Sequence, residues 1–388
     1  MNLKFSPELL PLSDALKSEL NPALLDPVEY RKSGLSLNHI IGCPIDCSYC
    51  VRHLFSNFEM KQPTALMSDD EAVKYLVNHK FFQANKTPLQ IFNRATDPFL
   101  PSVKPHTFNV LENLDRRGLK NQILVITRYR VTKEDCFRLN QLSSLRVTLL
   151  ITFSGIEDER IEPIDSNIAV QSLKIAYDLA TRYRVILYWR PIVPGLNDSP
   201  IHLARAIELS KTAHATVFTG LFYREQIRAY YQASGLPELY SETARRKIFP
   251  QQLEQNILDA FKVTQQASAL FRKTSCAVSY VHSLPDYNGH YGIRELCDIC
   301  PSMQVKRCAS VWAKPLSSEV KELSEYMGST SMPRIEDHAI EIEGLNEPQR
   351  YYIQHTLGYQ VHDPRYPHKI KRHGRSEIGW EAIENEDE

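Results

Sequence analysis

Residues 36–50 read Ser36-Leu37-Asn38-His39-Ile40-Ile41-Gly42-Cys43-Pro44-Ile45-Asp46-Cys47-Ser48-Tyr49-Cys50. The first six have the apolar, β-branched character of a buried strand, and a cysteine-rich loop follows it directly. Working outward, further strand candidates are Leu89 to Asn93, Gln122 to Thr127, Arg146 to Thr152, Arg184 to Trp189, Thr216 to Leu221 and Cys276 to His282. Helical spacing fills the intervals. Ser68 and Glu71 make a capping box for a helix running to about Lys80, and Asn167 to Tyr183 and Gln251 to Phe271 carry apolar residues at three- and four-residue intervals. Alternation of this kind argues for parallel strands joined by helical crossovers. Six or seven repeats predict an α/β fold, a partial (β/α)6 barrel of the TIM type, with functional residues at the C-terminal ends of its strands.

The chain has 388 residues, with 46 basic and 46 acidic side chains, so no net field draws the whole protein to nucleic acid or to an anionic membrane. A hydrophobic fraction of 43% supports a sizeable core and excludes disorder. Met1 to Pro22 lacks the apolar core of a signal peptide, and no run approaches the ~18 apolar residues of a membrane span. The expected location is the cytoplasm, with no membrane partner. In that compartment the eight cysteines are expected as metal ligands or thiols rather than disulfides. Three regions are expected: an N-terminal extension over 1–30, the barrel over 31–284, and a loop-rich, cysteine-containing extension over 285–388 that holds an auxiliary metal and helps to bind substrate. The turn at Leu284 to Tyr291 marks the last boundary.

Cys43, Cys47 and Cys50 are spaced to bind three irons of one 4Fe–4S cubane, leaving the fourth iron to a non-protein ligand. A zinc site and buried structural cysteines are the competing readings. Zinc usually takes a fourth ligand and paired Cys-x2-Cys knuckles, and core cysteines would not cluster on a loop after a strand. The Cys-x3-Cys-x2-Cys pattern with Tyr49 before the last cysteine resembles that of the radical S-adenosylmethionine (radical SAM) enzymes. The resemblance runs over about Leu35 to His282 and looks closest to their spore photoproduct lyase-like branch. Asn38 and Gly42 match its lead-in, Thr96-Asp97-Pro98 its Thr-Asp-Pro motif, Glu162-Pro163 a later pair, and Arg190 to Asp198 its Pro-Ile-Ile-Pro-Gly-x-Asn-Asp loop.

That resemblance implies a radical SAM barrel in which the three cysteines hold the catalytic cluster and S-adenosylmethionine is cleaved reductively to a 5′-deoxyadenosyl radical. It implies Tyr49 near the adenine, Thr96, Asp97, Arg128 and Ser154 on the polar end of the cofactor, and Val193 on the adenine. It also implies a flavodoxin- or ferredoxin-type reductant. Read from chemistry alone, Asp97 at a strand end suits an ammonium, and the Arg128 guanidinium suits a carboxylate. Two positions depart from the branch: Val103 stands where a glutamate is frequent, and Ala95 where spore photoproduct lyases carry their hydrogen-donating cysteine. The likeness therefore speaks for fold and cofactor rather than for repair of a thymine dimer.

A second set, Cys276, Cys297, Cys300 and Cys308, suits a second 4Fe–4S cluster or a structural zinc, with His282 and His290 as alternative ligands. Cys136 reads as a buried thiol on a short helix. The stretch from His362 to Arg375 interleaves basic and aromatic residues and could contact phosphates and bases, against a plainer reading as a solvated tail. Arg245, Arg246 and Lys247 read as a helix cap or solvated face. Tyr223, Tyr230 and Tyr231 are weak candidates for a radical quencher. Three functions follow: radical modification of a nucleic-acid base or nucleotide, radical modification of a peptide or protein side chain, or a non-catalytic iron–sulfur or zinc protein. The last gives no reason for Asp97, Arg128 and Ser154 at three separate strand ends.

Overall fold

The apolar runs that decide the architecture are buried on both faces, as parallel strands covered on two sides must be. The structure, a computed structural model, describes residues 9, 11–92, 94–244, 246–264 and 266–366, and the backbone of 375–376. One eight-stranded sheet contains β1 (Val28–Arg31), β2 (Gly34–Leu37), β3 (Leu89–Ile91), β4 (Gln122–Thr127), β5 (Arg146–Phe153), β6 (Arg184–Ile192), β7 (Ala215–Gly220) and β8 (Leu270–Phe271). The strands stand side by side in chain order. From β2 onward every neighbour is parallel, and β1 forms an antiparallel hairpin with β2 at one edge. Same-handed crossovers between successive neighbours put the connecting helices on one face, unlike the reversing order of a doubly wound sheet. Among the described residues β1 and β8 are not paired with each other, so the sheet is open.

Side-chain alternation separates the two faces. Val125, Leu149, Ile151 and Leu187 pack with Phe108, Leu139 and Leu173 of the crossover helices. Leu124, Leu150, Ile186 and Val217 point the other way and meet Ala277 and Val278. Those last two lie on the helix Thr274–Val281, so the expected strand from Cys276 to His282 is a helix and Cys276 sits in its first turn. The β-branched content of this segment is overridden by packing: Ser275, Ala277 and Ser279 are small and buried, which lets a helix lie close against the sheet. The last strand is instead Leu270–Phe271, taken from the end of what the spacing reads as one long helix. That helix stops at Val263. The capped helix Asp69–Val77 and the buried Cys136 on Lys133–Gln141 are as expected. The first run is shorter than read: β2 ends at Leu37, and Ile40–Ile41 pairs separately with Thr64–Ala65.

Beyond Leu284 the expected loop-rich extension is more ordered than its sequence suggests. It carries the helices Ser302–Val311, Ser317–Tyr326 and Glu347–Leu357 and a small sheet of β9 (Arg334–Ile335), β10 (Ala339–Glu341) and β11 (Gln360–His362). The helix Ser317–Tyr326 buries only Val320 and Ser324, a stripe too thin to read as helical periodicity. Most of the basic stretch, including Lys369, Lys371 and Arg372, lies outside the described residues. Within them Arg365 is paired with Asp363 at 2.7 Å.

The C-terminal unit is tied to the sheet edge through His355. Its Nε2 faces the Lys32 carbonyl at 3.2 Å and Asn288 Oδ1 at 2.9 Å, so it carries the proton, and Nδ1 accepts from the Tyr30 hydroxyl at 2.7 Å. Burial pushes the imidazole down from 6.5 to about 4. The folded state thus binds the second proton, the one that would charge the ring, less readily than the unfolded chain. Stability should be complete above pH 6.5 and fall as the pH drops toward about 4. Thermal unfolding followed across that window should show a weaker acid dependence in His355→Gln. An identical pH profile would remove His355 from the fastening.

Candidate active site

The cysteine loop leaves the sheet through Gly42, whose φ is +96°. A Cβ there would lie 2.3 Å from the Gln62 carbonyl oxygen, which only glycine avoids. The loop is shaped from within by Arg52, 1% exposed. Its Nη1 donates to the carbonyls of Phe58 at 2.9 Å and Met60 at 3.1 Å, and its Nη2 to that of Ile45 at 3.0 Å. Cys43 N–H is held by Met60 O at 3.0 Å, and Ser48 ties the loop to the Ile161 carbonyl at 2.9 Å and to the Tyr231 hydroxyl at 2.6 Å. Nothing in the sequence marks Arg52, because the partners that hold it closest are backbone carbonyls, with the Asp46 carboxylate farther off at 3.9 Å.

Cys43, Cys47 and Cys50 are all free thiols and line one cleft of about 940 Å3, open mouth included. Burial pushes the Cys43 thiol up to about 11 against the pull of Arg52. It raises Cys47 as well, against Arg128. Thiols this desolvated hold their protons until a cation replaces them. The opposite wall is made by the C-terminal ends of successive strands: Thr96 and Asp97 after β3, Thr127 and Arg128 at β4, Thr152 on β5, Arg190 on β6 and Gly220 on β7, with Lys247 beside them. Gly220 has its own reason, since a Cβ there would run into the Ile248 carbonyl. Lys247 and Arg190 were not among the expected site residues. Lys247 is a wall of the cleft rather than a solvated cap, and its basic neighbourhood was the only hint in the sequence.

The residues expected around a cofactor divide into two groups. Thr96 Oγ1 is buried at the cleft with no partner in the protein. A buried orphan hydroxyl on a cavity wall asks for a ligand. Arg128 and Tyr49 are joined: Arg128 Nη1 lies 2.8 Å from the Tyr49 hydroxyl and 2.9 Å from Glu162 Oε1, and Tyr49 donates to the other Glu162 oxygen. Glu162 is thus the hidden member of this group. Asp97 is already occupied: Oδ1 accepts from Phe99 N at 2.9 Å and Thr127 Oγ1 at 2.7 Å, and Oδ2 from Arg128 N at 2.9 Å. It pins two strand ends together. Asp97→Asn would set an NH2 against the Arg128 N–H and should cost about 1–3 kcal/mol. The check is the urea midpoint, which should fall without a change in slope; an unmoved midpoint would refute the pin.

Ser154 and Val193 do not line the cleft. Asn197 bonds the Ser154 carbonyl at 2.7 Å and the Val193 N–H at 2.7 Å, and Val193 packs in one cluster with Cys47 and Tyr49. Val193 therefore supports the loop from behind, while the Ser154 hydroxyl accepts from Ile156 N–H at 3.0 Å. Tyr223 and Tyr231 are buried in that same cluster, and Tyr230 rests against His53.

At the inner end of the cleft the Arg190 guanidinium lies 4.4 Å from the Tyr188 ring centroid. Burial raises the Tyr188 phenol, but Lys247 and Arg190 outweigh it and bring it down to about 8. Thr274 donates to the Tyr188 hydroxyl at 3.3 Å. The helix of Thr274 also carries Cys276, and the second cysteine set gathers behind it. Cys276 Sγ is 3.8 Å from His290 Nδ1, the Asp286 N–H points at Cys308 Sγ at 3.4 Å, and Cys297 Sγ reaches the His290 carbonyl at 3.7 Å. His282 is elsewhere, 2.9 Å from Thr148 Oγ1, and is not at this cluster.

No protein-family model and no curated protein matches the chain. Among solved structures, spore photoproduct lyase complexed with dinucleoside spore photoproduct matches at 13% identity and a TM-score of 0.43, over 61% of this chain and 74% of that one. In structure the chain is similar to spore photoproduct lyase. A variant of that lyase with bound AdoMet and dinucleoside spore photoproduct matches at 11% identity and a TM-score of 0.41, over 57% of this chain and 70% of that one. Streptococcus suis SuiB bound to precursor peptide SuiA matches at 10% identity and a TM-score of 0.38, over 63% of this chain and 49% of that one. Among the described residues no helix is long and apolar enough to cross a membrane.

Proposed function

We propose that the chain is a radical SAM enzyme that binds a 4Fe–4S cluster through Cys43, Cys47 and Cys50 and acts on an anionic substrate, a nucleic-acid base or nucleotide. The observation that carries this reading is that three free thiols of one loop share a cleft with polar strand ends, one of which, Thr96 Oγ1, is buried without a partner. When bound, the cluster and S-adenosylmethionine supply a 5′-deoxyadenosyl radical that removes a substrate hydrogen atom. The electron comes from a flavodoxin- or ferredoxin-type donor, and the cytoplasm is the compartment that keeps such thiols reduced.

The chain's own groups bind and orient. Thr96 offers a hydroxyl to the polar end of the cofactor. Arg128 keeps a positive charge beside the loop because Glu162 holds its guanidinium, and the same contacts fix the Tyr49 ring at the cofactor's edge. Asp97, Ser154 and Val193 position these groups rather than touching the cofactor. Arg190 and Lys247, two cations on one part of the cleft wall, favour an anionic substrate over a neutral peptide side chain. Ala95, on the same wall, offers no thiol as a hydrogen donor.

Anaerobically reconstituted protein given S-adenosylmethionine and dithionite should release 5′-deoxyadenosine. Iron-replete protein that releases none would overturn the reading. For the substrate class, Arg190→Ala combined with Lys247→Ala should weaken binding of a short single-stranded oligonucleotide by about 10- to 100-fold. Equal affinity would leave the radical chemistry standing and remove the anionic substrate.

A further inference from the structure

The four cysteines behind the cleft are not used by the proposed reaction, and their surroundings have their own chemistry. Cys276 opens the helix Thr274–Val281, Cys297 ends the short helix Arg294–Cys297, Cys300 follows it, and Cys308 lies on Ser302–Val311. All four are free. Three converge on the turn from Asp286 to His290 by the contacts given above, and Gln304 Nε2 adds a donor to Cys308 Sγ at 3.4 Å. The two N–H donors at Cys308 Sγ favour its thiolate, against burial, which pushes all four thiols up.

Inside this ring the polar atoms are left open. The Asp286 and His290 side chains are 4% and 2% exposed and meet through Oδ2 and Nδ1 at 2.8 Å. Asp286 Oδ1 and His290 Nε2 are buried with no partner in the protein. Ligand atoms of Cys276, Asp286 and His290 all lie within 4.8 Å of one another. A buried carboxylate with one oxygen unpartnered, set among four free thiols, is unfavourable unless a cation shares the space.

We propose that Cys276, Cys297, Cys300 and Cys308 form a second metal centre, rich in thiolate, with the Asp286–His290 pair as its inner polar shell. Sulfur donors in this number select zinc or an iron–sulfur cluster, and a carboxylate-bound histidine beside the ligands is the usual way to orient such a site. The centre joins three segments of the C-terminal unit to the helix that lines the inner face of the sheet. That helix also carries Thr274, whose hydroxyl meets Tyr188 beneath Arg190. The metal would thus hold the inner wall of the cleft.

This proposal does not rest on the radical reading, and its test separates the two. The full chain with Cys43→Ala, Cys47→Ala and Cys50→Ala, which lacks the first site, is purified anaerobically and its iron, sulfide and zinc are measured. Retention of about four irons with sulfide supports an iron–sulfur centre, and one tightly held zinc supports a zinc centre. Protein with neither overturns the proposal. Adding Cys297→Ser and Cys300→Ser to that variant should release the retained metal, and metal that survives these changes would also overturn it. Should the combined variant fail to fold, cobalt(II) loading of the triad variant serves instead: thiolate-to-cobalt charge-transfer absorption is expected, and its absence counts against the site.

Discussion

Cys47→Ala should abolish release of 5′-deoxyadenosine and empty the first site of iron, while leaving the fold in place. Cys47 is the middle cysteine of the three, 5% exposed, and it packs in one apolar cluster with Tyr49 and Val193. Removing its sulfur leaves two cysteines where a cubane with one open iron needs three. The change in packing is small by comparison: a buried sulfur lost to alanine costs on the order of 1 kcal/mol, a few degrees in Tm at most for a chain of this size. The two effects are separable by measuring iron and thermal unfolding on the same preparation. Loss of activity together with collapse of the fold would make Cys47 a core residue. Turnover at the wild-type rate would end the radical mechanism outright.

Glu162→Ala is expected to have the largest effect on stability of any single change at the cleft, about 3–5 kcal/mol. Glu162 is 3% exposed on its side chain and answers both Arg128 and the Tyr49 hydroxyl. Without it a guanidinium that is only 14% exposed loses the carboxylate that pairs with it. The loss should show in denaturant unfolding of the metal-free protein, where no cofactor can mask it. Arg128→Met added to Glu162→Ala should restore part of the stability, because the buried unpaired charge goes with it. Additive losses in the double variant would mean the two residues do not act as a pair. Cofactor affinity should fall in both variants, so stability and not binding is the deciding readout.

Much of the sheet was open to reading from sequence, for a reason visible in β4, β5 and β6: their apolar runs are buried on both faces, and a strand so placed has little choice of composition. The cysteine loop was legible because three sulfurs at short spacing have few structural uses. Helix Thr274–Val281 was misread because its small serines and alanine serve a close approach to the sheet, and that approach is a property of the partner surface. Glu162 and Arg52 could not be assigned their work for a related reason. The first meets Tyr49 across 113 residues of chain, and the second makes its hydrogen bonds to carbonyls, which every residue possesses. Asp97 was found at the cleft, but a sequence does not reveal that its oxygens also accept from Thr127, Phe99 and Arg128.

The bonds from Arg52 bear on how the protein is assembled. A guanidinium that gathers the carbonyls of Ile45, Phe58 and Met60 holds the loop in shape by contacts that belong to the polypeptide alone. The loop is therefore a mould rather than a clasp. If the three thiols take up iron as proposed, little chain entropy would have to be given up when it arrives. Limited proteolysis should then cut the loop no faster in metal-depleted protein than in loaded protein. Under the proposed function, filling the site would then depend on the supply of iron and sulfide rather than on refolding of the loop.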